Sequence, residues 1–282
     1  MISKITIDGL EIGMNSNYTL RRGIQGLEMF VPNNQDQRVP QSFVSRRTSN
    51  WGVGRVVTFP ITIKGNTIAQ VIANRKALAS KLYPAQGQKI SVLIYMQDDT
   101  TYRLDGYMEE FDAPMDRRNF NQATIAIKCD DARIFSQNTN SQVVGVLGLG
   151  TGIILPTEVP FTLPAGSGSQ TVTNAGNSVV TPSLVINGPG TNFIINNVTT
   201  GQTLRIGYAS NPLTLTTGQT VEIDGETLSI TQAETNKFGA KDPSSEFITL
   251  QPGVNEISLE VESGSDTNTQ VTLTWRDAYL GI

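Results

Sequence analysis

Residues able to do chemistry are scarce in this chain, and the scarcity narrows its function. There is no histidine, which excludes Ser-His-Asp and Cys-His catalysis and every histidine-ligated metal site. The one cysteine, Cys129, excludes an intramolecular disulfide and a cysteine-based zinc site within one chain. It ends an apolar stretch with no base supplied, so it reads as a buried, inert thiol. Carboxylates gather at Glu109-Glu110-Asp112, at Asp130-Asp131 and at Asp224 with Glu226. Such groups serve acid–base chemistry or calcium, but no D-x-[DN]-x-[DN]-G loop occurs, and solvated turns are the better reading. Gly145, Gly148, Gly150 and Gly152 imitate a phosphate loop. They lack the G-K-[ST] ending, and no GxGxxG opens a helix after a strand. Trp51 and Trp275 are candidates for a sugar-stacking platform, although Trp275 on a last strand is expected in a core. No catalytic, cofactor-binding or metal residue is expected, and the chain reads as a non-enzyme.

The elements that must position these residues follow from composition and pattern. Of 282 residues, 38% are apolar, only 16% are charged and 26 are glycine. That polar, uncharged bias favours a β-rich protein with many turns, and the length suits two domains. The net charge of −4 provides no global basic surface for nucleic acid. Charge divides the chain unevenly. Residues 1–140 carry 17 Lys/Arg and 13 Asp/Glu, a net of +4, whereas residues 141–282 carry 4 and 12, a net of −8. Two domains with different neighbours are therefore expected: 1–140, a connection at 141–160, and 161–282. The connection is glycine-rich but too apolar for a free linker, so it is expected to pack along a surface. Its run Val143–Leu155 is too short to span a bilayer, and the first residues carry no long apolar stretch. A soluble protein made in a cytoplasm is the expectation.

In the first half, β-branched and aromatic stretches at Ile5–Ile7, Tyr18–Leu20, Val53–Ile63, Ile90–Met96, Tyr102–Glu109 and Gln122–Cys129 predict strands. Pro60 argues for an edge or a bulge in the third. Asn66-Thr67 caps a helix running to Tyr83, with Ile68, Val71, Ile72, Leu78 and Leu82 at helical spacing and Pro84 as a stop. Residues Phe111–Phe120 read as a loop. The second half predicts short strands near Phe161–Leu163, Gln170–Thr173, Ser183–Asn187, Thr191–Asn196, Gln202–Tyr208, Gln219–Asp224, Leu228–Thr231, Phe247–Leu250, Val254–Glu262 and Thr269–Asp277. Turn signals such as Asn187-Gly188-Pro189-Gly190, Thr200-Gly201, Asp224-Gly225 and Pro252-Gly253 separate them, the pattern of a sandwich or jelly roll.

Ordered segments of the chain resemble the distal tail proteins of siphophages, the siphovirus-type tail component family. In the first half these are GIQGLEMFVP at Gly23–Pro32, WGVGRVVTFPITIKG at Trp51–Gly65, KALASKLYP at Lys76–Pro84, DGYMEE at Asp105–Glu110 and TIAIKCDDARIFS at Thr124–Ser136. Many relatives have a DP step here, where this chain has Asp131-Ala132. The second half is closer. It holds NAGNSVVTPSLVINGPGTNFIINNVTTGQTLRIG at Asn174–Gly207, VEIDGETLSI at Val221–Ile230, FITLQPGVNEISL at Phe247–Leu259 and VTLTWRDAYLGI at Val271–Ile282. The resemblance implies a mainly β protein, with an N-terminal β-sandwich-like domain carrying one α-helix and a C-terminal galectin-like jelly-roll sandwich. It implies a virion protein whose N-terminal domains form a ring, typically a hexamer. That ring would join the tail tube to the tail-tip hub and receptor-binding apparatus, with DNA passing through its lumen unbound by sequence and no membrane insertion.

Subunit contacts matter more than active sites in such a ring, and cyclic rings use heterologous patches. The arginine pairs Arg21-Arg22, Arg46-Arg47 and Arg117-Arg118 suit protein interfaces, where arginine is enriched. Arg21, Arg22, Arg46, Arg47 and Arg55 are the expected ring or tube contacts. The competing reading is a carbohydrate-binding module that recognises host-wall glycan through Trp275 or Tyr208 on an exposed face. A two-carboxylate glycosidase is the weakest, because no pair has a cleft.

Overall fold

The computed structural model describes residues 1–29, 33–38, 45–51, 54–82, 88–114, 120–146 and 169–282. It divides into two units: Met1–Gln137 with Tyr279–Ile282, and Asn138–Ala278.

The first unit contains β1 (Ile2–Ile7), β2 (Leu10–Gly13), β3 (Tyr18–Leu20), β4 (Asn33–Arg38), β5 (Ser45–Trp51), β6 (Arg55–Ile63), α1 (Ile68–Leu82), β7 (Ile90–Met96), β8 (Thr101–Asp112), β9 (Gln122–Cys129) and β10 (Ile134–Ser136). All but β4 and β5 join one path, β2-β1-β7-β8-β9-β6-β3, with β10 against β8. The long strand β8 makes this a folded-over sheet. Its first half pairs with β7 up to Gly106, and its second half, from Tyr107, pairs with β9. Gly106 marks the changeover because the backbones meet there. A Cβ on it would stand 2.5 Å from the Lys128 carbonyl oxygen. A register shift between Met108 and Glu110 follows at once, as expected where a strand bends between partners.

Alternation supplies the core. Val57, Phe59, Ile61 and Ile63 of β6 all point inward and are at most 1% exposed. They meet Ile125 and Ile127 of β9, Ile5 and Ile7 of β1, and Val71, Leu78 and Leu82 of α1. Ile68 and Ile72, expected on that helical face, are exposed instead. The cap is as the sequence indicates. Thr67 Oγ1 accepts the Gln70 N–H at 3.2 Å, and Gln70 Oε1 accepts the Asn66 N–H at 2.8 Å, close to a capping box. Pro60 sits in neither an edge strand nor a bulge, since β6 pairs with β9 throughout and with β3 over Ile61–Ile63. The β3 side is interrupted at this point. The Pro60 carbonyl accepts the Arg21 N–H at 2.8 Å, and Thr58 exchanges both hydrogen bonds with Gln25. The proline's missing N–H falls in that gap.

Strands β4 and β5 form a separate two-stranded antiparallel hairpin, from Asn33 opposite Trp51 to Arg38 opposite Ser45. No pattern in the sequence indicates it. Its strands read NNQDQR and SRRTSNW, with no apolar alternation.

The second unit has two antiparallel sheets. One orders β11 (Asn140–Gly145), β21 (Gln270–Trp275), β13 (Ser183–Asn187), β17 (Thr220–Asp224), β18 (Ser229–Gln232) and β19 (Thr235–Asn236). The other orders β12 (Ser169–Asn174), β20 (Gly253–Ser263), β14 (Gly190–Asn197) and β15 (Gln202–Ile206), with β16 (Thr214–Leu215) beside β14. Alternation again supplies the core, burying Leu184 and Ile186, Phe193 and Ile195, Leu204 and Ile206, Val221 and Ile223, and Val271 and Leu273. Among the described residues the chain is mainly β with one α-helix, in the first unit, as the sequence indicates. Two expectations change. The start of the supposed connection is strand β11, paired with β21 from Asn140–Trp275 to Gly145–Gln270, with Val144 buried. Phe247–Leu250 is not a strand and makes one bridge, Leu250 to Val180. The expected strand at Phe161–Leu163 and residues 147–160 lie outside the described residues.

Gly106→Val forces the two strands apart at the changeover. It is expected to destabilise the first unit by about 1–3 kcal/mol in urea unfolding; an unchanged midpoint would contradict the close approach.

Candidate functional site

The five arginines expected at contacts are placed differently by the fold. Arg21 and Arg22 follow β3 and are exposed, with Arg21 Nη1 donating to Gln122 Oε1 at 2.6 Å. Arg46 and Arg47 lie on the hairpin strand β5, at the positions opposite Gln37 and Asp36. Arg117 and Arg118 lie outside the described residues.

Arg55 is a correction. It opens β6 and is only 5% exposed. Nε donates to the Ala132 carbonyl at 2.8 Å. Nη1 donates to the carbonyls of Gly26 at 2.8 Å and Glu28 at 3.3 Å, and Nη2 donates to that of Leu280. A guanidinium so satisfied inside its own unit has little left for a neighbouring subunit. Burial lowers its pKa, opposed by Cys129 only where that thiol ionises, and by the nearby carboxylates of Glu28 and Asp131. An arginine under such conditions stays protonated at neutral pH.

The carboxylate groups act locally. Asp131 pairs with Arg133 Nη2 at 2.6 Å and accepts the Arg133 N–H at 2.8 Å. Asp224 Oδ1 accepts the N–H groups of Glu226 and Thr227 at 2.7 and 3.1 Å, closing its turn. Glu109, Glu110 and Asp112 are exposed on β8. No group of three or more metal-ligating side chains gathers among the described residues. Cys129 is 1% exposed, and burial pushes its thiol up to about 11. Trp275 is 7% exposed, so it offers no face for sugar stacking, while Tyr208 is half-buried. The side chain of Trp51 lies outside the described residues.

In the second unit the turn residues quoted from the sequence are explained by buried asparagines. Asn197 is fully buried at the end of β14. Its Oδ1 accepts the N–H groups of Thr199 and Thr200 at 3.1 and 3.3 Å, and its Nδ2 donates to the Thr249 carbonyl at 2.7 Å. Asn255 does the same for the Pro252-Gly253 turn. It accepts the Gln251 N–H at 2.9 Å and donates to the Gln251 and Gly253 carbonyls at 2.8 and 3.1 Å. Asn174 accepts the Gly176 N–H at 3.0 Å and donates to the carbonyls of Ser178 and Leu250. Asn174 and Asn197 also reach across to another segment, at Leu250 and Thr249, which the glycine and proline turn signals do not reveal.

Residues 175–279 match the model of the siphovirus-type tail component, C-terminal domain. The match covers the Asn-Gly, Thr-Gly and Pro-Gly turns that carry the resemblance drawn from the sequence, and that resemblance holds. No curated protein matches the sequence. Among solved structures, the Dit protein of phage SPP1, described as a paradigm of the hub adsorption apparatus in phages infecting Gram-positive bacteria, has a TM-score of 0.67 at 12% identity. That likeness covers 98% of both chains, so the whole chain has its fold. Two structures of the phage p2 baseplate in its activated conformation, with Ca and with Sr, have TM-scores of 0.47 at 8% and 9% identity. They cover 97% and 96% of this chain and 98% and 97% of theirs.

Two outcomes are expected. Asn197→Ala orphans three backbone groups and should destabilise the second unit by about 2–3 kcal/mol in urea; a change below ~0.5 kcal/mol would refute its role. Cys129 should resist thiol reagents at pH 8 until the unit unfolds. Its folded pKa is raised from 9.0 to about 11. The stability from keeping the thiol neutral is therefore full below pH 9 and declines as pH rises toward 11. Rapid labelling of the folded protein would contradict the burial.

Proposed function

We propose that this protein is a distal tail adaptor, a structural component of a siphophage virion and not an enzyme. Its N-terminal units form a ring, with six copies as the working number. The ring joins the tail tube to the tail-tip hub, and the second unit, a galectin-like sandwich, faces outward toward the receptor-binding apparatus. DNA passes through the lumen without specific contact. The observation that carries this reading is the family match over residues 175–279, set within a fold shared with the SPP1 protein over 98% of the chain. The charge contrast supports it. The first unit carries a net of +4 and the second −8, which suits different neighbours for each. Contacts are assigned to Arg21 and Arg22 beside β3 and to Arg46 and Arg47 on the hairpin. The carbohydrate-binding reading loses its main residue, since Trp275 is buried.

Light scattering after size exclusion should give about 183 kDa, six times the 30.5 kDa chain. Arg46→Glu with Arg47→Glu should cut the assembled fraction about tenfold at low salt and less at high salt. A monomer both alone and mixed with the tail tube protein would overturn the ring. An assembly indifferent to charge reversal at all four arginines would overturn the contacts.

A further inference from the structure

The last residues of the chain are built into the first unit, and Gly281 and Ile282 lie against the foot of the hairpin. The chain enters the hairpin through Gly26–Met29 and leaves it at Gly54 and Arg55. The entering foot is held from two sides. On one side it is tied to β6. Gly26 takes φ +85° and approaches β6 so closely that a Cβ would stand 2.0 Å from the Val56 carbonyl oxygen. Gln25 exchanges both hydrogen bonds with Thr58, and Glu28 Oε2 accepts the Gly26 N–H at 2.8 Å. On the other side runs Tyr279–Ile282. The Ile282 N–H donates to the Leu27 carbonyl at 3.0 Å. Gly281 lies flat on the foot, where a Cβ would stand 2.5 Å from the Met29 amide nitrogen. Tyr279 packs edge-on against Tyr102 of β8, with ring centroids 5.2 Å apart.

Arg55 joins all of these. One guanidinium holds the entering foot at Gly26 and Glu28, the strap at Leu280, and Ala132 after β9, while its own backbone is the exit foot. Its side chain is buried. The strap continues directly from the second unit, which ends at Ala278.

We infer that Tyr279–Ile282 is a latch on the hairpin foot, with Arg55 as its positioning residue, so that the end of the second unit sets how firmly the hairpin is held. A partner that pulls on or orders the second unit then acts on the hairpin through covalent chain, with no need for a surface between the units. The consequence for assembly rests on the proposed contact role of Arg46 and Arg47; the latch itself does not.

The test is amide hydrogen exchange on the full chain, read at residues 33–38 and 45–51 against β7, β9 and β14 as internal references. Gly281→Val, which displaces the strap while keeping Arg55, should speed hairpin exchange about tenfold and leave the references unchanged. Arg55→Lys, which keeps the charge but loses the fork, should do the same. A hairpin that exchanges no faster in Gly281→Val, one already unprotected in the unaltered chain, or an equal rise at β7 and β9 would each overturn the latch. If Arg55→Lys proves too unstable to measure, Gly281→Val alone decides. Faster hairpin exchange with an unchanged assembled mass would uphold the latch and count against the hairpin as a ring contact.

Discussion

A guanidinium removed from water must place its N–H groups on acceptors within the protein, or the charge is too costly to keep inside. At Arg55 four backbone carbonyls supply those acceptors, from segments as distant in sequence as Gly26, Ala132 and Leu280. Carbonyls at the ends of irregular segments would otherwise be orphaned as the unit closes around them. The arginine and the carbonyls therefore solve each other's problem, and the local arrangement of the first unit depends on that exchange. Removing the side chain leaves buried acceptors unpaired, and removing the strap leaves a buried charge short of one partner.

The second unit meets the same demand with neutral groups. Its hairpin ends are closed by Asn174, Asn197 and Asn255, each fully buried and each spending both sides of its amide on backbone groups. An amide can accept and donate at once, so one residue can close a turn and fix a neighbouring segment. This accounts for a sequence rich in asparagine, threonine and glycine and poor in charge. Two sheets with many connections need polar, uncharged groups at their ends, and charges there would be stranded. The acidic residues stay on outward positions such as Glu256, Glu260 and Glu262 of β20, where they cost little.

Much of this was legible in the sequence because it rests on short-range rules. Period-two alternation located β6 through Phe59 and Ile61, and β7 and β9 to the residue. Asn66-Thr67 announced the helix start. The family match over residues 175–279 coincides with motifs whose glycine and proline positions are visible without a structure. What escaped was set by tertiary contacts. The hairpin β4–β5 reads NNQDQR and SRRTSNW, with no apolar alternation, so nothing in its composition distinguishes it from a loop. The role of Arg55 was misjudged because its type suggests a surface, while its partners are carbonyls that leave no trace in sequence. The signal available was its position within an otherwise apolar inward parity, Arg55 aligned with Val57, Phe59, Ile61 and Ile63. Ile68 and Ile72 show the reverse error. Helical spacing placed them on the core face, yet the buried stripe of α1 is Val71, Leu78 and Leu82, and Ile68 and Ile72 fall to one side of it.

A position in a particle is best tested on the particle itself. Gold-labelled antibody raised against the second unit should be applied to intact virions that carry this protein and imaged by electron microscopy. Label should be confined to the distal end of the tail. Label along the tail shaft or on the capsid, or none in purified virions whose lysate contains the protein, would contradict it.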